Sequence, residues 1–131
     1  MPGTDFINDL KNSAVAANGT NTVEPKALTT TTNGAAVDLV DSDGNCFASL
    51  HVGAVTGTTP TLDVKIQESD TSGGTYSDIT GATFAQQTTS NHYLLINFKR
   101  SKRFCRAVAT IGGSSPSFTL AVALLGIKKA Q

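Results

Sequence analysis

The chain has no tryptophan, one methionine and two cysteines, and only 15% of its 131 residues are charged. Each shortage excludes something. Two thiols, Cys46 and Cys105, are too few for a multi-cysteine metal site. They read as small buried side chains or as one bridge between sheets, the latter requiring an oxidising compartment. The charge content lies well below the roughly 25% of an average domain. Scarce Lys and Glu beside abundant Thr and Val disfavour helix and suit a pleated sheet. The longest apolar stretch, Leu120 to Ile127, is far too short to span a bilayer as a helix. Met1 to Leu10 lacks the basic start and apolar run of a secretory signal. The length allows one domain with one core.

What the chain does have is period-two patterning punctuated by turn residues. Thr61 to Phe84 carries it most clearly. Leu62, Val64 and Ile66 alternate with Asp63, Lys65 and Gln67, as in a strand buried on one face. Ser69 to Gly74 gathers turn residues, and Tyr76 to Ile79 resumes an extended pattern, which predicts a long hairpin. Before it, Ala27 to Thr32 and Ala35 to Val40 flank Asn33-Gly34, a hairpin dipeptide. In Cys46 to Val55, the residues Cys46, Ala48, Leu50 and Val52 share one face, and Phe47, Ser49 and His51 share the other. Gly57 to Pro60 reads as a break. Further on, His92 to Phe98 is apolar on both faces and predicts a central strand. Arg103 to Ile111 and Ser117 to Leu125 follow, separated by a Gly112 to Pro116 loop. The expected fold is all-β: an antiparallel β-sandwich of about eight strands, best matched by a jelly roll.

Two units are expected. Residues 25–131 form the sandwich. Residues 1–24 form an N-terminal arm, either extended or starting as a short helix capped by Thr4. Phe6, Ile7 and Leu10 would give that arm an apolar anchor for a neighbouring subunit. The net charge is zero but unevenly spread. Up to Asp70 the chain carries about −6, and beyond it about +6. The densest cluster is Lys99-Arg100-Ser101-Lys102-Arg103. Lys99, Arg100, Lys102 and Arg103 read as a solvated turn or as a contact for an acidic protein surface. Nucleic acid is disfavoured, because the flanking Phe98 and Phe104 occupy core positions rather than stacking ones.

No catalytic, metal or cofactor constellation is expected. Asp41 to Asn45 superficially matches a calcium loop, but its glycine is misplaced and Val52 stands where a bidentate Glu is required. His51 and His92 lie in strands without ligand partners. Gly73-Gly74 has no phosphate-loop lysine after it, and Gly113-Ser114-Ser115-Pro116 is not a nucleophile elbow.

One further pattern runs through the core. Val64-Lys65-Ile66-Gln67-Glu68-Ser69-Asp70 is followed by Gly73-Gly74-Thr75-Tyr76-Ser77-Asp78-Ile79-Thr80-Gly81-Ala82-Thr83-Phe84. Later come Lys102-Arg103-Phe104-Cys105-Arg106-Ala107-Val108-Ala109-Thr110 and Gly113-Ser114-Ser115-Pro116-Ser117-Phe118. Over about Ala27 to Lys128 this resembles small virion proteins of tailed bacteriophages, in particular capsid decoration, or cement, proteins. Similar hairpins occur in tail and fibre components. The resemblance implies a non-enzymatic jelly roll on the outer surface of an icosahedral head, made in the host cytoplasm. It implies the major capsid protein as partner, a dimer or trimer on the shell, and no membrane or cofactor.

Overall fold

The computed structural model describes residues 20–40 and 42–128; the expected short helix and the arm residues Phe6, Ile7 and Leu10 lie outside the described residues. Within them the chain is all-β and antiparallel, and no helix is present. Seven strands occur: β1 (Thr20–Leu28), β2 (Thr32–Asn33), β3 (Val37–Asp38), β4 (Ser42–Ser69), β5 (Ser77–Thr83), β6 (His92–Lys99) and β7 (Phe104–Lys128).

Two of these are very long, and they pair with each other from end to end. The β4–β7 register runs from Ser42↔Lys128 through Leu50↔Val122 and Ile66↔Ala107 to Ser69↔Phe104. Laid straight, a 28-residue strand would extend for roughly 90 Å, far beyond a domain of this size. The ribbon is instead folded back on itself. Arg100 donates its backbone N–H to the carbonyl of Gly44 at 2.9 Å, and its neighbour Ser101 donates to Glu68 Oε1 at 2.7 Å. Adjacent residues thus hold opposite ends of β4.

The fold-back divides the ribbon into two arms, each the centre of a sheet. In the first sheet, 42–52 and 117–128 are flanked by β6 on the β4 side and by β1 on the β7 side. In the second, 61–69 and 104–112 are flanked by β5 on one side and by β2 and β3 on the other. Alternate residues of both arms enter one core. Ala48, Leu50, Val122 and Leu124 come from the first sheet, and Leu62, Val64, Ile66 and Ala107 from the second; all are at most 1% exposed. Burying each of the larger aliphatic side chains contributes about 1.5–3 kcal/mol.

The corner lies at 53–60 and 113–116, where the register shifts repeatedly. Gly57 and Gly113 take φ of +113° and +110°, in the region that favours glycine. Each packs against the other strand's backbone. A Cβ on Gly57 would stand 2.7 Å from Ser115 O and 2.8 Å from Pro116 Cα, and one on Gly113 would stand 2.7 Å from Thr59 O and 2.9 Å from Pro60 Cα. The two segments that read as a break and a loop are therefore paired strand. Glycine, hydroxyl residues and proline bend the ribbon there without interrupting it.

Three other expectations change. Asn33-Gly34 makes no hairpin; β2 and β3 pair in succession with β7. A Cβ on Gly34 would stand 2.7 Å from the Thr22 carbonyl, so the glycine serves close approach. Among the described residues β6 is an edge strand, paired with β4 alone, although its sequence is apolar on both faces. The sandwich also begins earlier than residue 25. Thr22 and Val23 are each 3% exposed. Thr22 Oγ1 donates to Ala35 O at 2.7 Å and accepts from Ala107 N at 3.0 Å, joining β1 to the second sheet.

Two outcomes follow from this architecture. Gly57→Ala and Gly113→Ala should each destabilise the protein in urea melts by more than Gly81→Ala. Gly81 also has positive φ, +81°, but open space around it, so only about 1–2 kcal/mol of backbone strain is expected there. Equal losses at all three positions would contradict the packed corner. Separately, deleting residues 1–19 should leave the melting transition in place, whereas deleting 1–24 should lower stability by at least about 1–3 kcal/mol through the lost Thr22 hydrogen bonds. Equal stability of the two truncations would return residues 20–24 to the arm.

Candidate functional site

The basic segment expected at the surface is a connection between sheets, from β6 in the first to β7 in the second. Arg100 turns inward. Its guanidinium donates to the carbonyls of Leu39, Ser42 and Lys102, tying down the β3–β4 connection. Glu68, 9% exposed, receives Ser101 N, Ser101 Oγ and Lys102 N at 2.7, 2.9 and 3.1 Å. A carboxylate that accepts three hydrogen bonds from one connection holds it firmly. Arg103 makes a bidentate pair with Asp38, at 2.9 and 2.7 Å, and lies over the Phe104 ring with its guanidinium carbon 5.0 Å from the centroid. The hydrogen bond from Arg103 holds the Asp38 carboxyl below its usual range. So Arg100 and Arg103 are engaged within the fold. Lys99 is exposed and Lys102 half-buried.

The outer face of the second sheet carries a polar lattice. Arg106 donates from Nε and Nη2 to Gln67 Oε1 at 3.1 and 3.0 Å. Gln67 Nε2 in turn donates to Asp78 Oδ1 at 2.9 Å, and Lys65 Nζ to Asp78 Oδ2 at 3.1 Å. These contacts, Gln67 first and Lys65 second, lower the Asp78 pKa. Arg106 also stacks over Tyr76, 4.1 Å from the ring centroid.

The outer face of the first sheet is different in kind. Its cross-strand rows are Leu125–Phe47–Asn97, Ala123–Ser49–Leu95 and Ala121–His51–Tyr93. No Asp, Glu, Lys or Arg stands in these rows on β7, β4 and β6; β1, which flanks them, brings exposed Glu24 and Lys26 to the edge of the sheet. Tyr93 is 63% exposed and Leu95 60%. Tyr93 packs edge-on against His51 at 5.2 Å between centroids. Beside His51 lies a shallow hollow of about 200 Å³, lined by Pro25, Gly53, Thr119 and Ala121 among others. The outward apolarity of β6 was the signal for this face, and it reads equally well as a central strand.

The remaining candidates stay apart. Thr89 Oγ1 and His92 Nε2 are 2.6 Å from each other, with no acid completing a relay among the described residues. Cys46 and Cys105 are both 0% exposed and form no disulfide. Burial pushes the Cys105 thiol up to about 12, so it stays protonated at neutral pH. Ser42 of the calcium-like stretch is already in β4. Among the described residues, no three of His, Cys, Asp and Glu cluster closely enough to hold a metal ion.

No protein-family model matches the chain, and no curated protein does. Among solved structures, one similar chain comes from the Bacillus endospore appendages described as "a novel family of disulfide-linked pili". It is 16% identical, with 88% of this chain and 96% of that chain covered, at a TM-score of 0.35. A likeness at that level adds nothing to the strand pairing described above.

The basic segment gives a direct check. Arg100→Met should cost roughly 2 kcal/mol or more in chemical denaturation, since it leaves buried carbonyls without donors. Lys99→Ala should fall within about 0.5 kcal/mol of the parent. Equal, small effects would mean that Arg100 is a surface cation like its neighbour.

Proposed function

We propose that this chain is a non-enzymatic structural protein of a tailed-phage virion, decorating the outside of the icosahedral head and stabilising it by bridging major capsid protein subunits. The observation that carries the reading is the residue pattern of the β4–β5 hairpin and of the second corner, which resembles that of decoration proteins. The strand order supports the implied jelly roll. Taking β2 with β3 as one arm and dividing β4 and β7 at their corner gives eight arms in chain order. They pair as first–eighth–third–sixth and second–seventh–fourth–fifth, an order that supports a jelly roll.

The surfaces fit such a role. The second sheet's face is a hydrogen-bonded polar lattice, and groups already paired before binding lower the ordering cost of contact. Modest contacts repeated over a shell add up through multivalency. A dimer or trimer on the shell would place several copies of each face around one symmetry axis. A second reading, a tail- or fibre-associated host-recognition module, is favoured by one observation: Tyr93 stands exposed beside His51, as a ring that could stack on a sugar.

Binding to expanded and unexpanded shells separates the readings. Decoration predicts preference for the expanded shell and a higher temperature of shell disruption when the protein is bound. Equal affinity with unchanged shell stability would contradict it, and specific binding on a glycan array would favour the second reading.

A further inference from the structure

We infer that the open edge of β6 is where a second copy of this chain adds, its own β6 running antiparallel to the first across a two-fold axis at Leu95. The inference does not depend on the virion reading. Three observations select the edge and its occupant.

The first is the contrast among the sheet edges. A free edge offers unpaired N–H and C=O groups to any other strand, and folds protect their edges with short strands, bulges, proline or charge. β1 has Pro25, exposed Glu24 and Lys26, and two register shifts. β5 has exposed Asp78, Gly81 at positive φ and a shift in its pairing with β4. β2 and β3 are two residues long each. Between its ends β6 has none of these devices. Its register with β4 runs unbroken from Asn45↔Lys99 to Val52↔His92, and Tyr93 to Phe98 contains no charge, glycine or proline.

The second is the direction of its main-chain groups. Arg100 donates its N–H to Gly44 O, in continuation of the β4–β6 register. Antiparallel bonds to one neighbour recur at every second residue, so Phe98, Ile96 and Leu94 turn their N–H and C=O groups to β4. Asn97, Leu95 and Tyr93 turn theirs to the open edge, and among the described residues no strand pairs with them there. The alternation stops at the corner, where Asn91, with φ of 65°, donates to Gly53 O.

The third is self-complementarity. A two-fold axis sets every residue against a fixed partner, and a residue on the axis against its own copy. Centred on Leu95, the pairing sets Leu95 against Leu95 and Tyr93 against Asn97 of the second copy, with about six main-chain hydrogen bonds. Leu95 and Tyr93, 60% and 63% exposed, lose water on contact. On the inner side, half-buried Leu94 at the margin of the core meets Ile96 of the second copy. The two Lys99 side chains fall roughly 26 Å apart along the strands, beyond the range of effective repulsion. The contact measures roughly 20 Å along the strand by about 20 Å through the sandwich. That is about 400 Å² from each copy, half of a standard interface. Self-association in the micromolar range follows.

Sedimentation of the purified full chain, with no shells present, tests the inference. The parent should be dimeric at about 100 µM and dissociate on dilution toward about 1 µM. Leu95→Lys sets a charge against its own copy at an exposed position. It should keep the parent's circular dichroism and weaken self-association at least about tenfold. If that variant loses its sheet signal, Leu95→Cys takes its place. Residues opposed in a hydrogen-bonded pair have Cα atoms about 5.5 Å apart, within reach of a disulfide. Air oxidation should therefore give a covalent dimer of Leu95→Cys and not of Thr80→Cys, which is exposed on β5. The native Cys46 and Cys105 are buried and do not compete. A parent that is monomeric at about 100 µM would overturn the inference. So would a ring of three copies, which has no two-fold axis. So would Leu95→Lys associating as the parent does, or Leu95→Cys bridging no more readily than Thr80→Cys.

Discussion

The close approach of β4 and β7 at their shared corner is the constraint on which the rest of the structure depends. Gly57 lies against Ser115 and Pro116, and Gly113 lies against Thr59 and Pro60. The relation is reciprocal, and the dihedral angles repeat it: Thr59 and Ser115 have φ of 48° and 49°. Gly-Thr-Thr-Pro and Gly-Ser-Ser-Pro are thus the same device placed twice about a local two-fold axis. A side chain on either glycine would push the strands apart where the ribbon must turn. Without that turn, Leu50 and Ile66 could not face a common core.

Once the ribbon is folded, its ends need fastening, and polar groups do this. Glu68 and Arg100 fasten the open end by accepting from and donating to backbone groups. Thr22 fastens the β1 side by accepting from Ala107 N while donating to Ala35 O. These are buried or half-buried groups, so removing one partner leaves another unsatisfied away from water. The most basic stretch of the sequence is consequently drawn largely into holding the fold. The cross-strand polar lattice around Gln67 continues the same theme on the second sheet's surface.

Much of this was legible in the residues. Period-two alternation gave the all-β class and the inward faces of 46–52, 61–66 and 117–125 correctly, because a strand with one buried face writes itself as alternation. The hairpin from β4 into β5 was legible for the same reason. The corner was not. Glycine, hydroxyl residues and proline in a row spell a loop, and only pairing partners distant in sequence reveal that the strand continues through them. At Arg100 the sequence marks a cation but not the carbonyls to which it donates. Apolarity misled at β6, where Leu95 signals burial by a second strand and instead faces outward. Of the expected interface residues, Arg100 donates to carbonyls of the domain and Arg103, itself half exposed, pairs with Asp38; the face that includes Tyr93 and Leu95 was missed because its members come from separate strands.

The result is a small sandwich with two unlike outer faces: one laced by charged side chains and their hydrogen bonds, the other without charge across β7, β4 and β6 and exposing Tyr93 and Leu95. A density map of the assembled phage particle tests the decoration proposal most directly. Decoration predicts this chain on the outer surface of the head, touching two or more major capsid subunits. A position inside the shell, on the tail, or in contact with a single subunit only would contradict it.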